Sequence, residues 1–185
     1  MRHTIFASFM SALAAIPVTG WAETCPLNKD IAAAESELFV QIRQAQRGDV
    51  VPPLSDALWE LWTDAPDDKA QALLDEGMRA LRLGDYRLAE LRLDELIAYC
   101  PNYAEGYNQR AFAEYLQFNY SAALPLLDQA ESLSPRHLGV LTGKALTHVA
   151  LGDVEAAQEP LKKAVRLNPW LSERALLLEP LGQEL

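Results

Sequence analysis

The amino-acid sequence predicts an all-α protein, a solenoid of stacked helical hairpins with a capping element at each end. Three prolines, Pro101, Pro135 and Pro169, are spaced 34 residues apart. Placed in register, they define three consecutive blocks, residues 70–103, 104–137 and 138–171. A fixed period of this length is typical of repeat proteins in which each repeat is one supersecondary unit. The same unit is therefore predicted three times in succession.

Each block has the pattern of two antiparallel helices. Small residues, which let two helices approach closely, recur at two shared positions: Gly77, Ala111 and Ala145, and then Ala89, Ala123 and Ala157. The turn between the helices needs a residue that tolerates positive φ, and the predicted residues are Gly84, Asn119 and Gly152. The closing proline ends the second helix. Pro125 and Pro160 are expected near the first turn of a second helix, where a proline lacks no hydrogen bond.

These motifs resemble the tetratricopeptide repeat (TPR) family. In the first block the family pattern is matched, in chain order, by Leu73, Gly77, Gly84, Asp85, Tyr86, Ala89 and Pro101. The sequence departs from the family at Leu93, Leu127 and Leu161, where an aromatic residue is usual, and at Leu96, where a later alanine is usual. The resemblance covers residues 70–171, which is 102 of 185 residues. It implies a right-handed α–α superhelix, and more narrowly the chain resembles small exported TPR proteins of alphaproteobacteria.

The flanking segments are predicted to be helical caps. Residues 23–69 are interpreted as a degenerate hairpin that caps the open end of the stack, because Ile31, Leu38 and Ile42 share one helical face. A second apolar face is predicted from Leu54, Leu58, Leu61 and Trp62. Residues 172–185 are expected to form a C-terminal capping helix. Repeat arrays need caps because each hairpin buries its face only against a neighbour. Eight or nine helices are expected in total.

The first 22 residues have the layout of a cleaved secretory signal peptide. A basic start precedes an apolar run that is too short to span a bilayer comfortably, and small residues stand at Gly20 and Ala22. We expect cleavage after Ala22, export to the periplasm and no membrane anchor afterwards. Cleavage removes Arg2 and no acid, so 15 of the 16 basic residues would face all 26 acidic ones. This acidic balance disfavours nucleic acid as a partner.

The chain has two cysteines, Cys25 and Cys100. In an exported protein they favour one structural disulfide. Two free thiols or a redox-active pair are the alternatives. The redox alternative lacks a Cys-x-x-Cys motif and a nearby basic residue that would lower the pKa of a thiol.

No constellation of catalytic or metal-binding residues emerges from the sequence. His3 lies in the signal peptide, and His137 and His148 have no second ligand at zinc spacing, so both are interpreted as surface or packing residues. The acidic stretch 63–70 is better explained by Asp67 or Asp68 as a helix N-cap than by a calcium site. No nucleophile has a partner base. The prediction is a protein that is not an enzyme and has no cofactor or metal.

The resemblance implies that the first helix of each repeat lines a concave groove. The groove residues carried over are Leu74, Met78, Leu81, Asn108, Gln109, Phe112, Tyr115, Thr142, Leu146 and Val149. A TPR subclass grips peptide carboxylates with Lys, Asn and Arg, whereas this chain has Leu74, Met78, Leu146 and Val149 at comparable places. An apolar or aromatic contact with a helix or extended segment is therefore favoured.

The leading functional hypothesis is a non-catalytic periplasmic interaction module that binds a protein or peptide partner in this groove, with envelope assembly as one setting. The first alternative is a binder of a small ligand or cell-wall fragment that uses Asn108, Gln109 and Tyr115. The second alternative is a redox-active helper that uses Cys25 and Cys100.

Overall fold

A computed structural model of the protein describes residues 24–179. The predicted signal peptide and residues 180–185 lie outside this range. Eight α-helices, two short 3₁₀ turns and no strand are found in the described range, which confirms the all-α prediction. The helices are α1 (Ala32–Gln44), α2 (Val51–Thr63), α3 (Asp68–Leu83), α4 (Tyr86–Tyr99), α5 (Ala104–Leu116), α6 (Tyr120–Leu133), α7 (Leu138–Ala150) and α8 (Val154–Leu167). The 3₁₀ turns are Gly48–Val50 and Ser172–Leu176.

Helices α3 to α8 form three successive hairpins that follow the predicted blocks. The pairs are α3–α4, α5–α6 and α7–α8, and each hairpin packs on the next through α4 with α5 and α6 with α7. The first helices α3, α5 and α7 also contact one another in sequence. They therefore share one face of the solenoid, as the repeat pattern predicts.

Small residues allow the close approach of paired helices. A Cβ atom added at Gly77 would lie 2.8 Å from the side chain of Leu93 on α4, closer than carbon atoms pack. Ala89 is fully buried, and so are Ala123 and Ala157 at the matching positions of the next two hairpins. The shared small positions are thus the sites of helix-to-helix contact.

The turns confirm two of the three predicted positive-φ residues and correct the third. Gly84 has φ 73° and Gly152 has φ 81°, as expected. Asn119, however, has φ −84° and is the N-cap of α6. Its neighbour Phe118 takes φ 63° instead, because Phe118 aligns with Gly84 and Gly152 in the repeat register. A bulky residue in this region is strained, since its Cβ crowds the backbone.

Aspartates begin three of the repeat helices. The carboxylates of Asp67, Asp85 and Asp153 accept hydrogen bonds from backbone N–H groups in the first turns of α3, α4 and α8, at 2.8, 3.0 and 3.0 Å. Each bond satisfies a donor that has no partner within the helix. Asp67 is therefore the cap in the acidic stretch 63–70, which was one of the two predicted residues.

The two internal prolines lie deeper in their helices than expected. Pro125 lies inside α6, which begins at Tyr120, and Pro160 lies inside α8, which begins at Val154. Both are past the first turn, so the prediction that they sit where no hydrogen bond is lost is wrong. Each helix nevertheless continues for two turns beyond its proline, because its apolar face is packed against the neighbouring helices.

The N-terminal hairpin, α1 and α2 with their connection, packs on the third repeat. We expected an N-terminal cap, which would lie in front of the first repeat. Instead, one buried cluster joins this hairpin to α7 and α8, and it contains Phe39, Ile42, Val51, Leu58, Trp62, Leu138, Leu141 and Ala164. The apolar faces predicted for α1 and α2 are real, but they are buried against the far end of the stack.

The end of the described chain is a cap of a different form from the predicted helix. Only Ser172–Leu176 is helical, as a 3₁₀ turn, and Leu177 is extended. The side-chain amide of Gln158 on α8 holds this segment, donating to Leu176 O at 3.3 Å and accepting from Leu178 N at 2.9 Å. The predicted capping α-helix is therefore corrected to a 3₁₀ turn followed by an extended segment that is bonded to α8.

Cys25 and Cys100 form a disulfide, as predicted, with their Cα atoms 5.1 Å apart. The bond ties the segment before α1 to the junction of α4 and α5. Asn28 adds a hydrogen bond of 2.6 Å to Asn102 O at the same junction. The N-terminal segment therefore starts at the first two repeats and crosses to the third. Among residues 24–179, no helix is long and apolar enough to cross a membrane.

Candidate functional site

A cavity of about 610 Å³ lies between the first helices of the repeats and the N-terminal hairpin. Helices α3, α5 and α7 each contribute to its lining. Eight of the ten predicted groove residues line it: Met78, Leu81, Asn108, Gln109, Phe112, Tyr115, Thr142 and Leu146. The repeat register therefore placed most of the candidate residues on one surface.

Two predicted groove residues do not reach the cavity. Leu74 has no exposed surface and belongs to the buried cluster of the first repeat. Val149 packs against the buried cluster inside the third hairpin, beside Ala145 and Leu161. Their assignment as groove residues is corrected, because both side chains point into the hairpins that they stabilise.

The aromatic residues of α5 stand at the mouth of the cavity. Phe112 is 47% exposed, an unusual degree for a phenylalanine on a packed helix. Tyr115 is half-buried, and its ring meets that of Tyr120 on α6 edge-on, with centroids 5.2 Å apart. This contact holds the Tyr115 ring from behind, so the cavity wall is formed by aromatic surface of defined orientation.

The polar residues of α5 are buried and already bonded. Asn108 and Gln109 donate their side-chain amide N–H groups to the Glu105 carboxylate, at 3.1 and 2.6 Å. Both residues line the cavity, and these two bonds tie their amides to the structure of α5. The remaining lining is mainly apolar.

Glu105 is the centre of a buried polar network that the sequence did not reveal. It is 1% exposed and also receives a hydrogen bond from His137 Nε2, at 2.8 Å. His137 Nδ1 accepts from Val140 N at 3.3 Å, so the ring proton lies on Nε2 and is donated to Glu105. His137 is thus the N-cap of α7, a packing residue with both ring nitrogens occupied.

The same network joins the repeats to the N-terminal hairpin. The ring of Trp62 stacks on that of His137, with centroids 4.0 Å apart. The indole N–H of Trp62 donates to Glu35 at 3.0 Å, and Glu35 also pairs with Arg136. We call Glu35, Trp62, Glu105, Arg136 and His137 the polar latch. It brings residues about 100 positions apart into contact, as in the 2.9 Å bond from Arg136 to Ser36.

Tyr103 adds a second contact between the repeats and the hairpin. Its hydroxyl donates to the backbone oxygen of Trp62 at 2.8 Å, and its ring is buried. Burial, with a smaller contribution from the charge of Glu105, raises the pKa of Tyr103 above its ordinary value. The phenol therefore keeps its proton and remains a donor.

Trp59 is a cavity residue that sequence reasoning missed. It lies on α2, follows the fully buried Leu58, and is 38% exposed where it lines the cavity opposite the first helices. Its neighbours Leu58, Leu61 and Trp62 were assigned to one apolar face, and the pattern gave no sign that Trp59 faces the repeats. Only the long-range placement of the hairpin gives it this position.

Sequence comparison finds relatives among proteins named for the same repeat, although no family model matches the chain. A TPR repeat-containing protein of Rhizobium etli is 28% identical over 109 residues, covering 59% of this chain and 53% of the relative. Tetratricopeptide repeat protein 36 of Xenopus tropicalis is 33% identical over 115 residues, covering 60% and 56%. The chain therefore spans little more than half the length of these curated relatives.

Solved TPR domains share the fold. The first TPR domain of Spaghetti (RPAP3), bound to the HSP90 peptide SRMEEVD, superposes with a TM-score of 0.56 at 20% identity, over 58% of this chain and 85% of that one. The Thermus thermophilus TPR protein TTC0263 gives a TM-score of 0.52 at 24% identity, over 74% of each chain. Helical hairpins that repeat every 34 residues, with these similarities, define the class as a TPR solenoid. The fold is therefore that of tetratricopeptide repeat domains, and the chain resembles proteins of that family in sequence.

Proposed function

We propose that this TPR protein is a non-catalytic interaction module that binds an apolar segment of a partner protein in the cavity. The observation that carries the proposal is the cavity itself, with Phe112 exposed at its mouth and a mainly apolar lining from three successive repeats. Apolar surface left open in this way marks binding sites in soluble proteins. The TPR domain of Spaghetti, which shares the fold, is bound to a peptide.

The chemistry of the lining favours an apolar occupant. Met78 and Leu146 lie at places comparable to those where a TPR subclass has polar groups for a peptide carboxylate, and both line the cavity. Asn108 and Gln109 each use one side-chain N–H to bond Glu105, which leaves fewer polar groups for a ligand. This weakens the alternative of a polar small ligand or cell-wall fragment held by those amides.

Two observations favour a structural role for the reactive residue types. His137 has both ring nitrogens engaged, so it does not offer a free base. Cys100 is 1% exposed within its disulfide and Cys25 is partly buried, so an attacking thiolate has limited access to the two sulfur atoms. A packing histidine and a structural disulfide fit these positions better than an enzyme or a redox helper.

We further propose that the protein works in the periplasm after cleavage following Ala22. The support is the predicted signal peptide together with the disulfide, which is a bond of oxidising compartments. The test is the intact mass of the protein from a periplasmic fraction. A chain that begins at Glu23 and carries one disulfide is expected, and a cytosolic product that retains residues 1–22 would contradict export.

The test of binding is crosslinked capture of partners from the source cells with matched variants of the protein. Phe112→Ala and Tyr115→Ala each remove part of the aromatic mouth, and truncation of an interface anchor typically costs about 2 kcal/mol. Capture of the partner should therefore weaken roughly thirty-fold in affinity. Gln129→Ala changes an exposed residue on α6, away from the cavity, and should leave capture unchanged.

A partner lost with both cavity variants and kept with Gln129→Ala supports the proposal. Equal capture by all three variants would mean that binding uses another face. Loss of helical content in the cavity variants would show that the two aromatics are needed for folding.

A further inference from the structure

We infer that the N-terminal hairpin is part of the binding site, with Trp59 as a partner-contacting residue, and that the site takes a short apolar anchor of one or two large side chains. The inference rests on the proposed function and specifies which part of the partner the cavity binds. In a groove formed by repeats alone, a helix could lie along the first helices. Here the hairpin covers part of that face and closes the remainder on one side.

The position of Trp59 is the first observation. The repeats supply the lining from α3, α5 and α7, and Trp59 faces them from α2. Leu58, the residue before it, is fully buried in the cluster that joins the hairpin to the third repeat. The lining of the cavity therefore lies beside an existing apolar interface. An apolar anchor placed against Trp59 would extend that apolar surface.

The rigidity of the hairpin is the second observation. The polar latch holds α1 and α2 through buried contacts, among them the ring of Trp62 on His137 and the hydrogen bond from Trp62 to Glu35. The disulfide fixes the segment before α1, and the hydrogen bond from Tyr103 to Trp62 O holds the end of α2. Trp59 is thus held in place before a partner arrives, and such preorganisation lowers the entropic cost of binding.

The size of the cavity is the third observation. The cavity has about 610 Å³, which lies within the roughly 300–1,000 Å³ of protein pockets that enclose a drug-sized group of atoms. This space accommodates the side chains of one or two large apolar residues. A turn or a chain end of the partner can present these without a long helix.

The test begins with a phage-displayed library of random 12-residue peptides, selected on the full disulfide-bonded chain. The probe is the most enriched peptide, synthesised with a fluorescein label and titrated by fluorescence anisotropy. Enriched peptides should share one or two adjacent large apolar residues. A shared i, i+3, i+4, i+7 apolar pattern would instead indicate a bound helix and would overturn the inference.

Variants of α2 and α5 then locate the contact. Trp59→Ala should weaken the affinity for the probe at least ten-fold, and Trp59→Phe by no more than about three-fold, since it keeps an aromatic ring. Glu60→Ala changes the next residue along α2, which is exposed, and should leave the affinity unchanged. Phe112→Ala should weaken it, because the proposed function itself requires this residue.

A wild-type measurement guards against a variant that does not fold. Hydroxyl-radical footprinting should show Trp59 oxidised in the free protein and protected in the complex, with Trp170 changing little. Unchanged affinity and footprint at Trp59, with loss at Phe112→Ala, would overturn the inference and leave the proposed function standing. A library that yields no peptide sensitive to Phe112→Ala would contradict both.

Discussion

Removal of the Glu105 carboxylate should remove three hydrogen bonds of the buried polar network. Glu105→Ala leaves three donors, on Asn108, Gln109 and His137, without their common acceptor. Each hydrogen bond to a charged group contributes about 1.5–3 kcal/mol, and a buried donor left unpaired adds a desolvation penalty. Because the three bonds share one carboxylate, their contributions are not additive.

The expected loss is about 3–5 kcal/mol in the free energy of unfolding, as for removal of one partner from a buried charged network. For a chain of this size, each kcal/mol lowers the melting temperature by about 2–4 °C, which gives a fall of roughly 6–20 °C. Glu105→Gln keeps an acceptor oxygen for His137, but its amide N–H group would face another N–H donor. The melting temperature of this variant should therefore lie between those of the wild type and the alanine variant.

The assay is thermal unfolding followed by circular dichroism, with urea unfolding for the free energy. Glu95→Ala is the matched control, because that carboxylate is 44% exposed and pairs only on the surface of α4 with Arg92. Its loss should be no more than about 1 kcal/mol. If Glu105→Ala costs no more than Glu95→Ala, the network is not a stabilising element, and the reasoning about the polar latch is refuted.

Three further changes have expected outcomes. Phe118→Gly should raise the free energy of unfolding by about 1 kcal/mol in urea titrations, because glycine adopts the positive φ at this position without strain. Gly84→Ala should lower the free energy of unfolding by a similar amount. Changes of the same sign in the two variants would contradict the assignment of strain. Cys25→Ser should lower the melting temperature, because it removes a disulfide between residues 75 positions apart. In the chain-entropy model such a bond stabilises the folded state by up to about 4–5 kcal/mol. Binding of the peptide probe should remain largely intact. The pKa of Asp67 is lowered chiefly by the Ala70 N–H, so its stabilising effect is present above about pH 4 and is lost as pH falls through the lower folded pKa. The gap in melting temperature between wild type and Asp67→Asn should accordingly close in acid, and a gap that widens there would contradict the cap.

The repeats could be predicted from the sequence because their contacts are local. The same close contact between paired helices occurs in each of the three hairpins. The 34-residue spacing of the small residues Gly77, Ala111 and Ala145 therefore predicts it three times. The mistake at Asn119 arose because asparagine also tolerates positive φ, although the repeat register assigns that place to Phe118. Leu74 was wrongly assigned to the groove because one helical face includes both residues that pack inside the hairpin and residues that line the cavity. The spacing of residues along the helix does not distinguish the two.

The placement of the N-terminal hairpin could not be predicted in the same way. Its contacts with the third repeat join positions about 100 residues apart and occur once, so no periodicity records them. Glu35 and Glu105 resemble surface acids in the sequence, and only the packed fold shows them buried beside Trp62 and His137. Trp59 therefore became a site residue only through the position of α2.

The most direct test of the binding site is photo-crosslinking in the source cells. A photoreactive phenylalanine analogue is placed at Phe112 in one variant, at Leu146 in a second and at Gln129 in a third. The first two positions line the cavity, and the third is exposed on α6. We expect one and the same partner protein to be crosslinked at Phe112 and Leu146 and not at Gln129. Crosslinks at Gln129 alone, or no partner at either cavity position, would contradict the proposal that this protein holds its partner in the cavity.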